Sequence, residues 1–170
     1  MAAAPVFRER QRFRQWWIWM VLIITNAAML LVLWRLWDSD LSRDWPWLLL
    51  FLVPVLLLLL FAGLRLDTEV RSDGIYVRFF PVQRQYRPYL WEEITHVFVR
   101  QYEPLAEYGG WGIRGLGKNK ALNVSGNQGL QLILKNGNKL LIGTRRPAEL
   151  SAVLNTIPIE KLHQPDIPSI

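Results

Sequence analysis

From Trp16 to Leu33 the chain has no charged residue, and a second uncharged run from Trp45 to Leu64 is interrupted only by Pro46, Pro54 and Gly63. A membrane-spanning helix needs about 20 apolar residues, because the hydrocarbon core is about 30 Å thick and each residue rises about 1.5 Å. Both runs meet that length, so the pattern predicts a two-helix transmembrane hairpin over residues 16–64. A cleaved signal peptide fits less well. The first run exceeds the roughly 7–15 apolar residues of such a segment, no small-x-small site follows Leu33, and a second run comes at once.

After Leu64 the period changes. In LDTEVRS, Leu66, Thr68 and Val70 alternate with Asp67, Glu69 and Arg71, the two-residue period of a half-buried strand. Asp73 and Gly74 supply a turn with positive φ, and IYVRFF returns as the partner strand. The same pattern recurs as LQLILK, Asn136-Gly137 and NKLLIGT, a second hairpin with a type I′ turn pair. Residues 89–102 have mixed strand character, and LNVSG adds a further strand. Pro147 suits a first helical turn, and Leu150, Val153, Leu154 and Ile157 form one apolar stripe before Pro158. The expected organisation is a basic cytoplasmic N-terminus (1–15), the hairpin (16–64), a mainly β domain (65–157) and a Pro-containing tail (158–170).

Charge fixes an orientation. Arg8, Arg10, Arg12 and Arg14 precede the first run and Arg65 follows the second, whereas Asp38, Asp40 and Asp44 lie in the connector. The positive-inside rule then puts both termini in the cytoplasm. Trp16, Trp17 and Trp19 mark one headgroup level, and Trp34, Trp37, Trp45 and Trp47 the other. The net charge of +6 is what this topology requires. With both signs interspersed and no concentrated basic stripe, it does not indicate nucleic acid.

One polar side chain falls deep in the first run. Asn26 stands at the depth of Pro54, whose ring removes a backbone donor and frees the Leu50 carbonyl. An Asn26 amide bond to backbone near Pro54, with Ala27 and Ala28 permitting close approach, is one reading. A contact with another membrane protein is a second, and a tolerated polar residue a third.

GWGIRGLGKN, from Gly110 to Asn119, nearly spells two nucleotide signatures. Gly110, Gly112 and Gly115 fit G-x-G-x-x-G, but no helical period follows and no acid lies about 20 residues on. Gly112 to Lys118 fits G-x-x-x-x-G-K, but Asn119 stands where a hydroxyl must ligand magnesium. No nucleotide and no cofactor are expected. His96 and His163 are distant from each other, the chain has no cysteine, and neither a metal site nor a catalytic residue set emerges. Glu92 and Glu93 read as a solvated cap rather than an acid–base pair.

The Gly-rich tract 109–129 has two readings. One is an ordered loop packed over the domain by Trp111 and Tyr108. The other is a contact surface for lipid or protein, made by Tyr108, Trp111, Arg114, Lys118 and Lys120. Arg8, Arg10, Arg12, Arg14, Arg65 and Arg71 are the candidates for anionic-lipid contact.

Short antiparallel strands ending in one amphipathic helix resemble a pleckstrin-homology-like (PH-like) barrel. LWEEI (Leu90 to Ile94), the strand after it, the second hairpin and the ending TRRPAEL (Thr144 to Leu150) resemble the membrane-anchored bacterial PH-like domain proteins, many with two spans before the domain. The resemblance covers most of the chain. It implies a PH-like fold in the bacterial inner membrane rather than an activity. In lipid-binding PH domains the loop matching Ser72 to Gly74 grips phosphates, and here it carries no base. The expected function is therefore a non-enzymatic accessory or assembly module that contacts membrane lipids and a membrane protein partner. Anionic-lipid binding is the alternative, and an enzyme acting on a membrane substrate is a third class without a residue set.

Overall fold

The computed structural model describes residues 4–35, 45–115 and 117–157. Residues 36–44 of the predicted connector (34–44) and the predicted tail at 158–170 lie outside the described residues. The chain divides into two compact units: Phe13–Leu64, and a unit that joins the stretch up to Arg12 with the chain from Arg65 onward.

The first unit holds α1 (Trp16–Arg35) and α2 (Trp45–Gly63). By length and composition α1 can cross a membrane, and Leu52–Gly63 is a shorter apolar helix. None of the α1 residues is buried, as suits a helix solvated by lipid. Pro54 is buried inside α2. Phe13 meets Phe61 edge to face at 5.6 Å, and the Trp19 indole donates to the Phe13 carbonyl at 3.1 Å. Asn26 does reach α2: its amide donates to Pro54 O at 3.3 Å and to Leu22 O of its own helix at 2.7 Å. The acceptor is the Pro54 carbonyl itself, not that of Leu50. Ala27 and Ala28 are exposed, so they do not provide the close approach.

The second unit is two sheets and a C-terminal helix. One sheet has the order β1 (Phe7–Arg12), β2 (Arg65–Val70), β3 (Gly74–Phe80) and β4 (Arg87–Leu90), all antiparallel neighbours. The other has the order β5 (Ile94–Gln101), β8 (Gln128–Leu134), β9 (Lys139–Gly143), β7 (Asn119–Asn123) and β6 (Gly112–Arg114). Its β7–β9 pair is parallel. A short helix, α3 (Pro104–Tyr108), precedes β6, and α4 (Pro147–Asn155) follows β9.

The basic N-terminal stretch is a strand of this unit. In β1, Phe7, Glu9 and Gln11 are buried while Arg8, Arg10 and Arg12 are exposed, and the strand runs in unbroken register with β2 from Phe7↔Val70 to Arg12↔Arg65. Two neighbouring strands of one sheet thus flank the whole apolar hairpin. Inward-facing polar groups of β1 latch onto the corner after β9. Glu9 accepts hydrogen bonds from Thr144 Oγ1 at 2.6 Å and Arg145 N at 2.8 Å, and the Gln11 amide donates to Gly143 O at 2.7 Å. The Arg146 and Arg145 guanidiniums donate to the Arg8 and Arg12 carbonyls.

Leu66, Val70, Ile75, Val77 and Phe79 form the inner face of the first sheet, and Leu130, Leu132, Leu140 and Ile142 are buried in the second. On the opposite face of β9, Leu141 packs with Ala121, Tyr102 and Tyr108.

Both hairpins close differently from their predicted turns. Arg71 and Gly74 exchange backbone hydrogen bonds, so Ser72 and Asp73 are the loop and Gly74 opens β3. Gly74 does not have positive φ; a Cβ there would lie 2.4 Å from Tyr89 O on β4. In the second hairpin, Leu134 N bonds Asn138 O and Gly137 N bonds Leu134 O. That is a three-residue loop with Gly137 left-handed (φ 78°), the geometry of a type I turn followed by a glycine bulge.

Candidate functional site

The predicted contact residues 108–120 do not form one surface. Tyr108 is buried, edge to face with Tyr102 at 6.1 Å, and burial pushes both phenols up from their ordinary values. Asn123, fully buried, ties this region together: its amide donates to Tyr102 OH at 3.0 Å, and its oxygen accepts from Gly112 N at 2.8 Å. Trp111 is half-buried and its indole donates to Gly126 O at 3.0 Å, while the exposed Arg114 returns to donate to Trp111 O at 2.8 Å. These two residues form one cluster.

Lys118 and Lys120 lie in a second cluster, with residues that no sequence spacing connects to them. Lys139 N donates to Lys118 O at 2.6 Å, and Lys120 pairs with Leu140 in the parallel β7–β9 register. Across from them stands β4, with the Arg87 guanidinium 5.7 Å from the centre of the Tyr89 ring. Together Arg87, Lys118, Lys120 and Lys139 line a cavity of about 60 Å³ with Tyr89, Leu134 and Leu140. No carboxylate is among its lining residues. A shallower groove of about 410 Å³ shares Arg87, Tyr89 and Leu134 and adds Glu92, Glu93, Lys135 and Asn136.

The glycine tract itself is an antiparallel strand pair, with Gly112↔Asn123 through Arg114↔Ala121, and no helix opens after Gly115. Gly115 sits between the two strands at φ 82°, and a Cβ there would come within 2.1 Å of Asn119 O.

Of the arginines predicted to meet lipid, Arg8, Arg10, Arg65 and Arg71 lie at the outer face of the first sheet with acid partners. Asp67 accepts from Arg10 at 2.7 Å and Arg78 at 2.6 Å, with Arg65 at 3.4 Å. Glu69 accepts from Arg71 at 2.6 Å and Tyr86 at 3.0 Å, with Arg8 at 3.2 Å. Burial opposes ionisation of both carboxyls. The hydrogen bonds from Arg78 and Arg10 outweigh it at Asp67, and those from Arg71 and Tyr86 do so at Glu69, so both are held below the usual carboxylate range. Arg65, Arg71 and Arg78 also stack on Phe80, Tyr76 and Tyr86 at 4.2–4.5 Å. Arg12 and Arg14 are exposed. No family model, curated protein or solved structure matches the chain.

The two arginine-bearing regions therefore differ in kind. On the first sheet the bases surround two buried carboxylates, as a structural network does. Around the cavity, no ion pair to Arg87, Lys118, Lys120 or Lys139 occurs among the described residues. The sequence signalled Lys118 and Lys120 by their place after the glycines. Arg87, Lys139 and Tyr89 carried no signal, because only the β7–β9 pairing and the approach of β4 from the other sheet bring them there.

Proposed function

We propose that the protein is a non-enzymatic, membrane-held interaction module: a two-span hairpin carrying a PH-like domain on the cytoplasmic face of a bacterial inner membrane, acting as an accessory or assembly subunit of a membrane complex. The observation that carries this reading is the β1–β2 pairing. The chain leaves the β unit at Arg12 and re-enters it at Arg65, so if α1 crosses a membrane, the chain must cross back before β2. That requirement supports a second span by α2 and a common side for both flanks. Two sheets with a C-terminal helix support the PH-like reading; the parallel β7–β9 pair and the strand placed before the hairpin are departures from it. The half-exposed Trp111 and its neighbour Arg114 are the proposed protein contact.

Topology is tested with single cysteines, which are clean probes because the native chain has none. In intact cells an impermeant maleimide should label Ser39→Cys once the outer membrane is permeabilised, and Asn127→Cys only after lysis. Labelling of both, or of Asn127→Cys alone, would overturn the arrangement. The module reading is tested by purifying full-length protein in mild detergent and identifying co-purifying chains by mass spectrometry. A stoichiometric membrane protein that is lost in Trp111→Ala with Arg114→Ala is the expected result.

A second reading is supported by the exposed Arg8, Arg12 and Arg14, within a few residues of Trp16. Bases so near an anionic leaflet contribute about 1 kcal/mol each, which favours a lipid-surface role. Vesicle binding that falls with salt and with Arg8→Gln plus Arg12→Gln would move the conclusion there.

A further inference from the structure

We propose that the cavity bounded by Arg87, Lys118, Lys120 and Lys139 is a binding site for a dianionic phosphate group, carried on a headgroup or free. The site is built from both sheets: β4 supplies Arg87 and Tyr89, β9 supplies Lys139, β7 supplies Lys120, and Lys118 immediately precedes β7. Backbone pairing brings the lysines together. The Lys139 N to Lys118 O bond and the Lys120↔Leu140 register hold three ammonium-bearing residues along the β7–β9 pair.

Elsewhere in this unit clustered bases are matched. Arg10, Arg65 and Arg78 share Asp67, and Arg8 and Arg71 share Glu69. At the cavity no carboxylate is among the lining residues, which leaves four exposed bases open to an anionic ligand. Four cations around one small space suit a polyvalent oxyanion better than a single carboxylate. Lysines act on phosphate as point charges and arginine as a fork that can donate two parallel hydrogen bonds. A volume of about 60 Å³ holds several water-sized groups, enough for one tetrahedral anion. The floor of Tyr89, Leu134 and Leu140 limits competing hydration.

The neighbouring groove shares the Arg87–Tyr89–Leu134 wall and carries Glu92 and Glu93. Those carboxylates would accept hydrogen bonds from hydroxyl or ammonium groups on the remainder of the ligand. The ligand class is therefore a phosphate monoester of a polyhydroxyl or amino compound. The site is distinct from the Ser72–Asp73 loop and from the outer face of the first sheet. It stands or falls separately from the module reading.

The test uses full-length protein in an uncharged detergent, titrated calorimetrically with inorganic phosphate, and the same protein mixed with vesicles of neutral phospholipid containing one-fifth phosphatidic acid. Binding of inorganic phosphate with at least a tenfold weakening in Lys120→Gln and Arg87→Gln is expected if the ligand is free. Vesicle binding with the same sensitivity, and no response to inorganic phosphate, identifies a headgroup source. In either case affinity should rise from about pH 5.5 to about pH 8, because the second phosphate ionisation falls in that range, near pH 6 for a monoester and about a unit higher for inorganic phosphate, and no histidine lines the cavity. Arg84→Gln, an exposed base outside the cavity lining, serves as the control and should bind as the unaltered chain does. Absence of binding to both probes, or equal binding by all variants, would overturn the proposal. Absence of any co-purifying membrane protein from the unaltered chain, with phosphate binding intact, would count against the module reading alone.

Discussion

Asp67 shows how a single residue organises an exposed face. Its carboxylate is buried, and Arg10, Arg65 and Arg78 converge on it from three directions across β1, β2 and β3. Asp67→Asn keeps the shape and leaves three guanidiniums without their shared charge. Breaking a buried pair costs about 3–5 kcal/mol; because these bases are partly exposed, the loss here should be nearer 2–3 kcal/mol, read from the denaturant midpoint of full-length protein. Acid should act in the same direction. The folded-state carboxyls of Asp67 and Glu69 lie below their ordinary values, so the unfolded chain binds more protons as pH falls. The stability they contribute is complete above the unfolded values near pH 4 and disappears as pH drops through the lowered folded ones. Asp67→Asn should flatten that acid limb, and an unchanged limb would show that other carboxyls govern it. In the helical unit, Asn26→Leu removes the donor to Pro54 and should lower hairpin stability by about 0.6–1 kcal/mol in a detergent unfolding titration.

At the scale of elements, Gly115→Ala tests the β6–β7 connection. The left-handed φ and the 2.1 Å approach to Asn119 O leave no place for a methyl group, so a loss of about 2–4 kcal/mol is expected, measured by thermal unfolding. Hydrogen exchange should quicken first at residues 112–123. This tract was also where sequence and structure diverged most usefully. The missing helical period after Gly115 agrees with the strand pair found there, but nothing in the sequence disclosed that Lys118 and Lys120 part company with Trp111 and Arg114. The period-two segments at 65–80 and 128–143 and the stripe at 147–157 were legible, since each buries one face and alternates accordingly. β1 was not. Its inward positions are Phe7, Glu9 and Gln11, and two of the three are polar, satisfied by Thr144, Arg145 and Gly143. Such a strand has no apolar alternation to detect, and its arginines had already been explained as topology signals. Buried polar groups whose partners are 130 residues away cannot be found by local pattern.

At the scale of the molecule, the placement of β1 changes what counts as the domain. Residues 65–170 lack a strand that covers β2 and that bonds the Gly143–Arg145 corner. Expressed alone, that segment should be poorly folded, with Leu66, Thr68 and Val70 paired on one side only. Arg12 and Arg65 are register partners, and a two-residue Asn-Gly loop is the shortest favoured closure between antiparallel neighbours. Residues 1–12 joined through Asn-Gly to residues 65–170 should therefore give a soluble, cooperatively unfolding protein without any membrane segment. Circular dichroism melts of the two chains decide the matter: a sharp transition in the joined chain and a broad or absent one in 65–170 is the expected pair. Equal transitions would mean that β1 adds nothing and that the basic stretch acts only as a membrane flank. The comparison also separates the two roles of the hairpin. If the joined chain folds, the two helices are not needed for the structure of the β unit, which the chain leaves and re-enters through neighbouring strands of one sheet.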